Sequence, residues 1–305
     1  MILEKSRRRR VGAAVMALAL GALALAGCNS GRATPGVIDV VGAEVQYGDV
    51  LAQIGGRYVN VDSLMTSPST DPHNFEASPR VAQLLATAQL VVQNGAGYDA
   101  FMNTLEAASA SPSRVVLSVA AMLDRRTAVN PHFWYAPSTM PVVARFVATS
   151  LAKIAPQHAS YFHARELRFV GQWRRVSAAL AAARRAVGGD RVASTEPVGD
   201  YLIDAMGLVN LTPFRFQADV MNGIDPSPQD IVTQDNLIAR HQIVALVYNA
   251  QVSSPLTQSM RELARHDHVA VVPLYEIMPA HEHVQTWILS TIAALVAASS
   301  TRGRS

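Results

Sequence analysis

From Gly36 onward, short runs of β-branched and apolar residues alternate with longer stretches whose apolar positions recur every three or four residues. That text predicts α/β layers with parallel strands. Val37 to Val41 reads as a strand, Val45 to Ile54 as a helix closed by Gly55-Gly56, and Tyr58 to Met65 as a second strand. Ser78-Pro79 has the form of a helix start, with Ser as N-cap and Pro at the first helical position. Leu90 to Gln93 is a third strand ending in Asn94, Tyr98 to Ala108 a helix, and Val115 to Val119 a fourth strand.

Pro141 to Val187 breaks the alternation. Its helical periodicity is interrupted only at Pro156, and Phe162, Phe169, Trp173, Val176 and Leu180 follow one another at spacings of three, four and seven. From about Gln157 the stretch is long enough for a rod of roughly 45 Å at 1.5 Å per residue, ended by Gly188-Gly189. The expectation is a spine joining two lobes, its apolar stripe used for packing them.

A second alternating set follows. Strands are expected at Arg191 to Thr195, Leu208 to Thr212, Ile243 to Tyr248 and Val269 to Tyr275, and helices at Val198 to Met206, Pro228 to Ala239, Pro255 to Arg265 and Val284 to Ala297. The halves echo each other: Ala77-Ser78-Pro79 before Leu90 to Asn94 matches Pro226-Ser227-Pro228 before Ala245 to Asn249. The fold class expected is α/β, two four-strand parallel-sheet lobes joined by one long rigid helix. Lobes span residues 37–140 and 190–300, with a connecting region at 141–189. Their strand ends would surround one crevice, the usual ligand position in open α/β folds.

Composition changes the picture mainly at the N-terminus. Lys5 and Arg7 to Arg10 precede an apolar run, Val11 to Leu25, too short for a comfortable span, so residues 1–27 read as an export signal. The run ends Leu25-Ala26-Gly27-Cys28, which resembles the lipobox of bacterial lipoproteins. That resemblance makes Cys28 the lipid-modified first residue of the mature chain, extracytoplasmic and held to the cell membrane, with residues 28–36 as a tether. Cys28 is the only cysteine, which excludes an internal disulfide framework and a Cys-rich zinc site. The formal charge of +3 becomes about −1 once the signal, with five basic residues and Glu4, is set aside. No basic patch interleaved with aromatics remains, so nucleic acid is not an expected partner.

Two loops carry the candidate chemistry. Asp71-Pro72-His73 and Asn130-Pro131-His132 each present an imidazole directly after a proline, and proline stiffens the backbone that holds it. In the second half, Glu196 follows Val192 to Thr195 and Glu276 follows Val271 to Tyr275. A carboxylate just after a strand faces the crevice. His73, His132, Glu196 and Glu276 together make a site for a divalent transition metal: imidazole suits zinc, iron and manganese, and oxygen ligands shift preference toward manganese. His281 and His283 are the rivals for the fourth position, and Asp71 is placed to orient His73 from behind.

Asp71-Pro72-His73, Leu90-Val91-Val92 with Asn94-Gly95, Asn130 to Trp134, Thr195-Glu196 and Asp225 to Pro228 resemble the zinc and manganese substrate-binding lipoproteins of bacterial ABC importers, cluster A-I, which includes the pneumococcal surface adhesin type. The resemblance runs from about Ile38 to Leu295. It implies a monomer that carries Zn2+ or Mn2+ as transported ligand to a membrane permease and its ATPase. His73 and His132 match the family's first two ligands and Glu196 the third; Glu276 stands where many members have Asp. The His-rich acidic loop of many zinc members is absent.

Two other classes stay open from the residues alone. One is a zinc-dependent hydrolase, which needs an open coordination position and a general base; no His-Glu-x-x-His, Gly-x-Ser-x-Gly or phosphate loop is present. The other is a surface adhesin with a structural metal. On the family resemblance the expectation is a binding protein and not an enzyme.

Overall fold

The computed structural model describes residues 36–67, 75 and 78–300. From Ile38 they belong to one compact unit. In the first half, β1 (Ile38–Glu44), α1 (Val45–Gly55), β2 (Val59–Met65), α2 (Pro79–Thr87), β3 (Leu90–Gln93), α3 (Phe101–Ala108) and β4 (Val115–Ser118) follow the expected order. A short α4 (Val119–Met122) and a 3-10 turn at Phe133–Tyr135 lead into α5 (Thr139–Ile154) and the long α6 (Ala159–Val187). The second half contains β5 (Arg191–Ser194), α7 (Asp200–Ala205), β6 (Val209–Asn210), α8 (Phe214–Met221), α9 (Pro228–Ala239), β7 (Ala245–Asn249), α10 (Pro255–His266), β8 (Ala270–Leu274) and α11 (Val284–Ser300).

Every strand pairing is parallel, and the two sheets have the same order: β2-β1-β3-β4 and β6-β5-β7-β8. The repeat seen in the sequence is thus a repeat of topology. In each sheet the first strand lies inside and the chain reverses its winding beside it, so a crevice opens at the carboxyl ends of the first and third strands.

The spine is 29 residues long, about 43 Å at 1.5 Å per residue. It begins at Ala159, later than expected, because Pro156 starts a separate 3-10 turn after α5. Phe162, Phe169, Trp173, Val176 and Leu180 are all buried, in one apolar cluster with α1 and α5 of the first half and α11 of the second. Phe169 and Trp173 stack at 5.9 Å, and Trp173 Nε1 donates to Pro137 O. The apolar stripe therefore packs the lobes, and the spine's arginines other than Arg165 are exposed.

Differences from expectation are local. Helix α3 starts at Phe101 instead of Tyr98, and α8 was unforeseen because its apolar residues, Phe214, Phe216, Ala218 and Val220, alternate with polar ones at a spacing of two, and Phe214 is exposed. Ser78 occupies the N-cap of α2 without a side-chain bond, whereas its counterpart Ser227 accepts from Asp230 N at 3.2 Å. At one close approach, β1 crosses α1 where both residues are glycine: a Cβ on Gly42 would lie 2.5 Å from Gly48 N.

Candidate metal centre

His132 is fully buried in the loop before the Phe133–Tyr135 turn. Asn130 holds it twice: Oδ1 accepts from the His132 backbone N at 3.0 Å and lies 2.8 Å from Nδ1. The amide is oriented by its other end, where Nδ2 donates to Pro197 O at 2.8 Å. A carbonyl oxygen only accepts, so Nδ1 is the donor in this pair and Nε2 is the nitrogen available to a metal. Nε2 makes no hydrogen bond and lies 3.4 Å from Glu276 Oε2. An imidazole whose far nitrogen is pinned by an acceptor is the arrangement metal ligation requires.

Glu196 and Glu276 are both fully buried, at the ends of β5 and β8. One amide joins them: Asn249 Nδ2 donates to Glu196 Oε2 at 2.9 Å and to Glu276 Oε1 at 2.7 Å. Asn249 closes β7, between the two acid-bearing strands. Its own position is set by Thr195 Oγ1, which accepts from Asn249 N, and by Gln251 N, which donates to Asn249 Oδ1. Glu276 is further fixed through its backbone, N–H to Gln251 Oε1 and C=O from Gln46 Nε2 across the lobes.

The structure therefore brings His132, Glu196 and Glu276 into one buried cluster; His73 and Cys28 lie outside the described residues. Among the described residues no three His, Cys, Asp or Glu side chains already surround a single metal-sized point. His132 and Glu276 are in contact, and Glu196 is linked to them through Asn249. His283, the rival for the fourth position, is mostly exposed and bonded to Asp49 Oδ1 at 2.7 Å, on the face of α1, and His281 is exposed in a left-handed conformation. Neither joins the cluster.

The two asparagines of the sequence repeat act as positioning residues, a role sequence reasoning missed. Asn249 ties the acids together. Asn94, its counterpart at the end of β3, donates to Pro131 O at 2.9 Å and accepts from Tyr47 Oη at 2.6 Å, so it holds the loop that carries His132. Asn130 was equally overlooked, although its place two residues before the imidazole was a usable signal. Contacts between halves close the cluster: Tyr201 Oη donates to Asn130 O and Tyr135 Oη to Tyr275 O, both at 2.8 Å.

A third acid, Glu44, closes β1 and is fully buried. The signal that picked out Glu196 and Glu276, a carboxylate ending a strand, was present here too. Burial, and secondarily the neighbouring Asp99 carboxylate, push the Glu44 pKa well above the ordinary carboxylate range. Burial also raises Tyr98, with Glu276 and then Glu44 adding to the effect. Tyr98 stands beside His132, ring to ring at 5.9 Å, and with Pro131 walls a recess of about 370 Å³ whose other side is Phe214, Ala218 and Met221 of α8.

Two parallel-sheet lobes packed on one long helix, with an imidazole and two acids drawn together at the strand ends, define a two-lobe solute-binding protein. Residues 40–298 match the family described as zinc-uptake complex component A, periplasmic, and the chain belongs to that family of metal-binding proteins of ABC importers. It is 24% identical over 176 residues, 52% of its length, to the manganese-binding lipoprotein MntA of Bacillus subtilis, and 26% identical over 121 residues, 38% of its length, to the iron-binding protein YfeA of Yersinia pestis. These matches span 57% and 39% of the relatives' own lengths. Among solved structures it resembles the zinc-binding TroA of Treponema pallidum, with a TM-score of 0.73 at 18% identity over 87% of this chain and 99% of that one. It resembles FpvC of Pseudomonas aeruginosa in complex with Mn2+ equally well, 0.73 at 20% identity over 88% and 100%. At such identities the structural likeness bears on the fold alone.

Proposed function

We propose that this chain binds a divalent transition metal, zinc or manganese, between lobes 37–140 and 190–300 and releases it to a membrane permease driven by its ATPase. His73, His132, Glu196 and Glu276 are the ligands, and Cys28 carries the lipid that keeps the protein at the outer face of the membrane. The observation that supports this most directly is the His132–Glu276 contact. An imidazole whose Nδ1 is pinned by Asn130 turns Nε2 toward a carboxylate in a fully buried setting. Burying two carboxylates is costly without a cation, and a divalent ion between them offsets their charge. Two nitrogens and two carboxylates accept zinc, manganese and ferrous iron, with the oxygens favouring manganese. The protein acts by capture and release, since four protein donors leave no open position for a reacting water.

The test is metal analysis of the purified protein. His73→Ala and His132→Ala should each abolish stoichiometric metal while leaving the circular dichroism spectrum intact; equal occupancy in wild type and both variants would falsify the assignment. Glu276→Ala should weaken binding more than changing His281 and His283 together, and the reverse order would move the fourth ligand. A Cys28→Ala protein recovered wholly in the membrane fraction would remove the lipid anchor.

A further inference from the structure

Flanking the buried stripe of the spine, Arg165, Arg168, Gln172 and Arg175 stand at i, i+3, i+7 and i+10 of α6, along one face of the helix. They border a cavity of about 330 Å³ between α6, α1 of the first half and α11 of the second, floored by Phe169 and Leu289. Its remaining walls have little acceptor capacity left. Gln53 and Gln285 bond reciprocally at 2.9 Å. Asp49, the carboxylate behind them, already accepts from His283 Nδ1, Gln53 Nε2 and Val284 N at 2.7, 2.7 and 2.8 Å. Arg165 is held in place, its Nε donating to Gln53 O and its guanidinium lying over Tyr161. Among the described ion pairs none involves Arg165, Arg168 or Arg175.

Three guanidiniums with donors only border one cavity that has no opposing carboxylate to spare, which gives it a positive potential an anion would meet. Their planar forks match the oxygens of a phosphoryl group. We propose that this cavity is a binding site for a phosphoryl oxyanion, supplied by a free phosphate compound or by the headgroup of an anionic lipid. Because its walls come from both halves and the spine, a bound anion adds cross-links between lobes and raises the melting temperature.

The site is independent of the metal reading, and its test uses metal-free protein. Residues from Gly36 onward, compact from Ile38, are used so that neither the apolar leader nor an acyl chain reaches the vesicles. Pyrophosphate is titrated calorimetrically, and flotation with phosphatidylglycerol vesicles is compared with phosphatidylcholine. Arg168→Gln/Arg175→Gln removes two exposed cavity cations; Arg174→Gln/Arg185→Gln, exposed elsewhere on the same helix, makes the same change in net charge. The expected result is one pyrophosphate per chain, its affinity reduced about tenfold or more by the cavity pair and unchanged by the other. Selective loss of phosphatidylglycerol flotation in the cavity pair, without pyrophosphate binding, identifies the lipid source and also supports the site. No binding of either probe, or equal effects of the two pairs, overturns it.

Discussion

Replacing Asn249 with alanine removes the single donor shared by two buried acids. Two hydrogen bonds to charged groups are lost, at about 1.5–3 kcal/mol each. The carboxylates, about 5 Å apart when bridged by one nitrogen, are then left to repel each other by about 3 kcal/mol at an effective dielectric near 20. Allowing for relaxation, the metal-free protein should lose about 3–6 kcal/mol. In a domain of this size that lowers the melting temperature by about 10 °C or more. One condition should shrink the loss: in the metal-loaded protein the cation replaces the amide between the acids. Differential scanning calorimetry of wild type and variant, with and without zinc or manganese, reads both losses. A loss of the same size in loaded and metal-free protein would show that the acids are not where the metal binds; no loss at all would show that the amide bridge carries no energy.

Asn130→Ala frees the His132 tautomer and should reduce metal affinity about 10- to 100-fold in competition titrations, with the fold retained. Glu44→Gln bears on pH dependence. Burial and Asp99 hold the folded-state pKa of Glu44 above its unfolded value, so the folded protein keeps a proton that the unfolded chain releases. Glu44 therefore adds stability at low pH that is lost as pH rises through that interval. Glutamine mimics the protonated form and should flatten the decline of melting temperature with pH; an unchanged slope would remove Glu44 as its source. Gly42→Ala places a Cβ against the Gly48 backbone and should cost about 1–3 kcal/mol in denaturant unfolding, through separation of β1 from α1.

Much of the architecture was legible along the chain because it rests on local periodicity. The spine could be foreseen from Phe162 to Leu180, since a 3.6-residue repeat over about five turns has no other low-energy use than a helix with one buried face. The duplicated halves could be foreseen from two Ser-Pro helix starts and two strands ending in Asn94 and Asn249, which the structure turns into two sheets of the same order. That His132, Glu196 and Glu276 would be turned inward was legible because each follows a rigid element.

What only the tertiary structure decided is which polar groups meet. Asn249 touches acids 53 and 27 residues away, and Asn130 touches Pro197, 67 residues on. No periodicity encodes such distances; they are set by the crossing of parallel strands and the packing of both halves on the spine. The same holds for His283, whose neighbourhood in sequence suggested the crevice and whose partner, Asp49, lies 234 residues away on a helix of the other half. The sequence by itself determined the elements and the ends of strands from which chemistry could come. The fold then selected among those candidates, because burying a polar group is tolerable only where another polar group arrives to meet it.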